Sequence, residues 1–297
     1  PTHTHSPRRM LQRAFLWTTV PVVFLLLCDL VGARLARKLL AVHVALAVCA
    51  AHAYVGARLF FARDVVHSQP DAPPPGACRE FMHHGCKMMH YAPPAAAVRR
   101  LLVFPGLGVS VRAMLGTPCM RPFLVDSEIC CFQPRGIGAS DYAVDFTCES
   151  MLDDAVHALG AFVEATDGHL PASFVGYSLG CFVSMQLLSN LPWRFPAFEC
   201  RRILLVNGMY RCDAMCAKFK ALSRLLNVTV EPLVDGSRVG VVIVHARDDR
   251  TISIKESAQL KSRCDRVGRQ ADFLVCEGGH AKYTLTKEAQ AHLRRSI

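Results

Sequence analysis

Six short apolar runs constrain the architecture of this chain more than any other feature of its sequence. Leu101–Phe104, Ile129–Phe132, Ala172–Val175, Ile203–Val206, Val241–Val244 and Phe273–Cys276 are each four residues long, and Ser173 is their one hydroxyl residue. A strand buried on both faces needs such a run, because successive side chains point to opposite sides of the sheet. Helix-period stretches lie near residues 148–166, 179–190, 214–226, 254–264 and 284–295. This alternation predicts an α/β fold, a mostly parallel sheet with helices on both faces. Chemistry in such a sheet is expected at the carboxyl ends of the strands.

The third run leads directly into Gly176-Tyr177-Ser178-Leu179-Gly180, and a helical stretch from Cys181 to Asn190 follows. G-x-S-x-G between a strand and a helix is the pattern of a nucleophile elbow. A serine on so sharp a turn lifts its hydroxyl above the sheet, and the flanking glycines let neighbouring backbone come close. A helix-capping serine between two packing glycines is the plainer alternative.

A serine hydroxyl is a weak nucleophile until a base takes its proton. Past the run ending at Val244 the chain reads His245-Ala-Arg-Asp248-Asp249-Arg-Thr-Ile252, and past Cys276 it reads Glu277-Gly278-Gly279-His280. The order Ser…Asp…His makes His280 the expected general base and Asp249 the residue that orients it, with Asp248 the adjacent rival. Most of the 13 histidines have no such setting, whereas His280 follows a strand and lies 31 residues after an acid at a strand end. A tetrahedral intermediate also needs oxyanion donors. The Leu179 amide is one candidate, and the Leu107 amide in Pro105-Gly106-Leu107-Gly108 is the other. That loop is not a dinucleotide fingerprint, because Val111 occupies the position of the third glycine.

Taken together, these motifs resemble the α/β-hydrolase superfamily over roughly residues 80–297. Gln133-Pro-Arg135-Gly136-Ile-Gly138-Ala-Ser140 resembles the family's D-x-R-G-x-G-x-S turn, and His245 to Ile252 resembles its H-G-x-x-D-x-x-V turn. Gln133 stands where the family has Asp, Ala246 where it has Gly, and Pro105 where its H-G-x-G loop has His. The resemblance implies the α/β-hydrolase fold with a small cap, and a triad of Ser178, Asp249 and His280. It also implies catalysis without a metal or an organic cofactor.

The chain carries a net charge of +10, which raises the question of a nucleic-acid partner. Residues 1–61 hold seven basic residues and one acidic residue, +6 in all, leaving only +4 for the rest. The charge is therefore local, and a uniformly basic nucleic-acid-binding protein is excluded. With 52% hydrophobic and 20% charged residues, a disordered chain is excluded as well. The basic residues frame two apolar runs, 14–33 and 39–61, each close to the ~20 residues that cross a bilayer. Residues 1–63 are accordingly expected to be an integral membrane anchor and 64–79, with Asp71-Ala-Pro-Pro-Pro-Gly76, a linker. A buried helical hairpin of a soluble domain is the alternative. His43 and His52 fall within the second run, where an interfacial or packed helix accounts for them. Arg and Lys placement leans toward a cytosolic N-terminus and cytosolic body.

The 14 cysteines are scattered, with Cys130-Cys131 adjacent and Cys212 four residues before Cys216. No zinc-type pairing with histidine appears among them. Asn227-Val228-Thr229 matches a glycosylation sequon, so an oxidising compartment stays open. Within the superfamily the chain looks most like small membrane-anchored members related to monoacylglycerol lipases and acyl-thioesterases. Room for a small cap lies between Asn207 and about Val239, expected as Met209 to Asn227, with Met209, Tyr210, Met215 and Phe219 as candidate acyl-channel residues or ordinary core. The expected activity is hydrolysis of acyl ester or thioester bonds of lipid or lipidated substrates, through an acyl-enzyme on Ser178. Membrane lipids are the expected partners, and nothing in the pattern specifies an oligomeric state. A peptidase or acyltransferase on the same triad, or a catalytically silent scaffold, are the alternatives.

Overall fold

The fold was obtained as a computed structural model that describes residues 75–107, 109–135, 140, 148–208 and 239–297, together with Val42 and Val44. Apart from Val42 and Val44, the two apolar runs lie outside the described residues, as do the proposed cap with its four channel candidates, Cys212, Cys216 and the Asn227 sequon. Among the described residues no helix is long and apolar enough to cross a membrane. The chain divides into two units, Pro1–Leu59 and Phe60–Ile297, and every element below belongs to the second.

Among the described residues eight strands form one sheet: β1 (Ala77–His83), β2 (Cys86–Ala92), β3 (Arg99–Phe104), β4 (Ser127–Gln133), β5 (Ala172–Tyr177), β6 (Cys200–Val206), β7 (Gly240–Ala246) and β8 (Ala271–Cys276). Their order is β1-β2-β4-β3-β5-β6-β7-β8. From β4 to β8 all neighbours are parallel, whereas β2 runs antiparallel to both β1 and β4. All six apolar runs lie in β3 to β8. The sheet begins earlier than they do, and Ala77 to Arg79, at the end of the expected linker, are strand.

Among the described residues five α-helices accompany the sheet: α1 (Val111–Leu115), α2 (Cys148–Ala165), α3 (Leu179–Arg194), α4 (Ile254–Arg266) and α5 (Lys287–Ser296). Side-chain hydroxyls start three of them. Ser110 accepts from Ala113 N, Ser253 from Lys255 N and Thr286 from Ala289 N, satisfying amides that have no partner inside the helix. α5 therefore begins at 287, after the Thr286 cap.

Period-two alternation divides each strand between two cores. Leu102 and Phe104 of β3 enter the core shared with α2, α3 and α4, and Leu101 and Val103 enter the core shared with α1 and α5. On the first face Phe104 meets Phe132 and Phe174 edge-on, with ring centroids 5.2 and 5.4 Å apart. Edge-to-face pairs of this kind add ~0.5–1.5 kcal/mol each beyond area burial. β8 departs from the two-sided burial expected of its run. It is an edge strand, and Val275 stands out to solvent.

Candidate active site

β5 ends at Tyr177 and α3 begins at Leu179, so the whole turn is one residue, Ser178. Its backbone is at φ 54° and ψ −118°, a left-handed conformation that costs a non-glycine residue of order 1–3 kcal/mol. The strain is held by tight packing on both sides. A Cβ at Gly176 would lie 2.6 Å from the Cys181 Cα, and one at Gly180 would overlap the Phe104 carbonyl oxygen. Ser178 N donates to Val206 O at 2.9 Å, which ties the turn to the end of β6.

His280 faces this hydroxyl. Its Nε2 accepts from Ser178 Oγ at 2.9 Å, and its Nδ1 donates to Asp249 Oδ2 at 2.7 Å. That tautomer follows from the ionised carboxylate, which can only accept. The structure thus brings Ser178, His280 and Asp249 together from the carboxyl ends of three strands, β5, β8 and β7.

Asp249 is 9% exposed and hydrogen-bonded on every side. Its Oδ1 accepts from Thr251 N at 2.7 Å and Ile252 N at 3.0 Å. His245, fully buried, brings its Nε2 to 3.5 Å from Oδ2 while donating to Ile252 O at 3.0 Å, and its Nδ1 accepts from Ser257 Oγ at 2.7 Å. Burial pushes the Asp249 carboxyl up, but the hydrogen bonds from His245 and His280, the charge interaction with His280 and the Ile252 amide outweigh it. They hold the group well below the usual carboxylate range.

Asp248 has a different task. Its Oδ1 accepts from Gly279 N at 2.9 Å and Gly278 N at 3.0 Å, and the Gly279 amide leads in lowering its pKa. Adjacent acids therefore split the work, one binding the imidazole and the other the loop that carries it. Gly278 and Gly279 sit at φ 105° and 74°, and a Cβ at Gly278 would overlap the Lys282 carbonyl oxygen. The loop closes through Thr284 N donating to Glu277 O at 2.8 Å.

Two residues of the site were not among the sequence candidates. Tyr177 Oη donates to His280 O at 2.6 Å, and Asn207 Nδ2 donates to the same carbonyl at 2.7 Å. Asn207 is fully buried at φ 45°, and its Oδ1 accepts from Ala246 N at 2.8 Å. Burial raises the Tyr177 phenol, which stays a neutral donor. The signal for Tyr177 was its position inside the pentapeptide. Asn207 gave only the sign of a polar residue directly after an apolar strand.

The loop after β3 lies against the elbow. A Cβ at Gly106 would stand 2.9 Å from Ser178 Cβ, so Leu107 follows a residue already in contact with the serine. Among the described residues, neither Leu107 N nor Leu179 N donates to a protein acceptor. Pro105, in the place of the family's His, is buried without displacing the loop from Ser178. The departure at Gln133 has a defined contact. Its Nε2 donates to Val109 O at 3.1 Å, a bond that a carboxylate cannot make. Ser140 Oγ donates to Gln133 O at 2.7 Å and accepts from Lys87 N at 2.8 Å, while Arg135 pairs with Asp154 at 2.6 Å. Among the described residues no group of His, Cys, Asp and Glu is arranged to hold a metal.

Solved structures match this architecture. An esterase/lipase from an uncultured bacterium aligns with TM-score 0.54 at 14% identity, over 76% of this chain and 84% of that one. The fold is that of the α/β-hydrolases. An alpha-beta hydrolase from Vibrio vulnificus aligns with TM-score 0.53 at 14% identity, over 69% and 75% of the two chains. An esterase from Pyrococcus furiosus does so with TM-score 0.51 at 13% identity, over 69% and 82%. No protein-family profile and no curated protein sequence matches the chain. The α/β-hydrolase likeness is thus carried by the fold, at identities where fold alone is informative.

Proposed function

We propose that this chain is a serine hydrolase that cleaves acyl ester bonds through an acyl-enzyme on Ser178. The observation that carries the reading is the unbroken relay from Ser178 Oγ through His280 to a buried, ionised Asp249, at 2.9 and 2.7 Å. Esterases and lipases sharing the α/β-hydrolase fold support it.

The chemistry runs on the chain's own groups. As Ser178 Oγ attacks the acyl carbon, its proton passes to His280 Nε2, and Asp249 stabilises the imidazolium. The carbonyl oxygen becomes an oxyanion within reach of the Leu107 and Leu179 amides, an interaction worth roughly 3–4 kcal/mol per donor. The tetrahedral intermediate collapses, the acyl–oxygen bond breaks, and Nε2–H protonates the departing alcohol. Water, deprotonated by the same nitrogen, then attacks the acyl-enzyme and releases the carboxylic acid and the free serine.

The substrate class follows from the apolar runs 14–33 and 39–61 and the short space available for a cap. On this reading the runs anchor the enzyme in a membrane, and its substrates are lipid acyl esters or acyl-thioesters, as for monoacylglycerol lipase-like and acyl-thioesterase-like proteins. Comparing the lipids of cells expressing wild type or Ser178→Ala tests it. Acyl esters or thioesters accumulate with the variant if the reading holds, and unchanged lipid profiles with intact hydrolysis of small soluble esters contradict it.

A further inference from the structure

At the opposite end of the sheet, around the amino ends of β6 and β7, lies a recessed cavity of about 1180 Å³. Ligand clefts run to roughly 300–1,000 Å³, so this one has room for an elongated small molecule. It is built by a different part of the chain from the candidate active site. Strands of six or seven residues rise ~3.3 Å per residue, which puts it about 20 Å from Ser178.

The walls are of two kinds. Leu188, Leu191 and Phe195 of the α3 end, with Phe198 and Val239, form an apolar side. Four guanidinium groups, Arg201, Arg202, Arg269 and Arg295, line the rest, together with one carboxylate side chain, Glu199, and the terminal residue Ile297. Arg295 lies in the last turn of α5 and Arg269 just past α4, where a cation complements the carbonyl end of a helix. Arg201 and Arg202 belong to β6, so no helix end accounts for them. Arg202 lays its guanidinium over Gly240, whose missing side chain makes the space it fills. Arg100, nearby on β3, is already committed to Thr166 Oγ1, Leu170 O and Gly168 O. Arg201 and Arg295, by contrast, are exposed at the cavity.

The geometry points to a second binding site, one that takes a single-chain amphiphile with an anionic head, a carboxylate or a phosphate. Guanidinium groups match such heads in charge and in the planar fork of their donors, and the apolar wall receives the chain. The site stands independently of the hydrolase reading, since none of its residues belongs to the candidate catalytic group.

Equilibrium dialysis of the full chain against radiolabelled decanoate and decyl phosphate tests the site, with decanol as the neutral control. The candidate active site is blocked beforehand by a fluorophosphonate, or removed by Ser178→Ala if no labelling occurs. Saturable one-to-one binding of both anions is expected, at least tenfold tighter than decanol. Arg201→Glu with Arg295→Glu weakens it at least tenfold while leaving the melting temperature within a few degrees. Arg201→Gln with Arg295→Gln, which removes charge without adding any, weakens it in the same direction if the double reversal does not fold. Equal affinity for decanol, or binding unmoved by the arginine changes, overturns the proposal. So does retention on vesicles of anionic phospholipid without binding of the free amphiphiles, which assigns the arginines to a membrane surface instead.

Discussion

Asn207 Nδ2 and the carbonyl oxygen of His280 are 2.7 Å apart, and through this one bond the end of β6 fixes the loop that carries the imidazole. The same side chain accepts from Ala246 N at the end of β7, so it ties together three strand ends. Asn207→Leu is close in size but cannot make either bond. It leaves the buried Ala246 N without its partner, at ~1–3 kcal/mol, and leaves the His280 carbonyl held by the Tyr177 hydroxyl alone, which loosens the loop. Ester hydrolysis should fall at least tenfold in kcat with a smaller change in KM, and the melting temperature should drop. Steady-state kinetics and a thermal melt on one preparation check both.

The two neighbouring acids should separate cleanly. Asp249→Asn removes the charge that orients and stabilises the imidazolium and should lower kcat by about 10⁴, as tautomer loss does in other serine hydrolases. Asp248→Asn weakens only the acceptor for Gly278 and Gly279. It should cost far less, about tenfold or below, with the pH profile unchanged. Equal losses in the two variants would contradict the division of labour between them.

Glycine substitutions provide a contrast within one chain. Gly180→Ala places a methyl group on the Phe104 carbonyl oxygen, and Gly176→Ala places one 2.6 Å from the Cys181 Cα. Either should abolish activity or folding. Gly160, in the middle of α2, has nothing within 4 Å of its missing Cβ, so Gly160→Ala should stabilise by ~0.5–1 kcal/mol with activity intact. Urea unfolding midpoints decide the sign for each variant.

Acidification should weaken the fold through Asp249 in a defined direction. The folded state holds this carboxyl below its ordinary range, so its contribution to stability is fully present above the unfolded aspartate pKa of ~3.9 and is lost as pH falls toward the folded value. The stability gap between wild type and Asp249→Asn should therefore narrow between about pH 5 and pH 3. A gap that widens on acidification would reverse the sign of the argument. Urea titrations across that range measure it.

How far the sequence was legible varied with what each residue depends on. β3 to β8 announced themselves because burial on both faces demands unbroken apolar runs. The Ser178 elbow was legible because its strained turn requires small residues at fixed offsets. Asp249 was preferred over Asp248 by spacing, but the use of Asp248 by the Gly278 and Gly279 amides depends on two strand ends lying side by side. β1 escaped notice because an edge strand with Cys78, Arg79 and Glu80 all exposed shows no apolar periodicity. Asn207 escaped for the same reason as Asp248: its bonds reach 73 residues along the chain to His280 and 39 to Ala246. The net charge was readable only once divided, since its larger part belongs to the first 61 residues and not to the sheet.

Reaction of the full chain with a fluorophosphonate probe tests the central claim most directly. Wild type should be labelled once, on Ser178, and Ser178→Ala should lose the label while keeping its melting temperature. An unlabelled wild-type chain, or a Ser178→Ala variant labelled to the same extent, would contradict the account of Ser178 as an activated nucleophile.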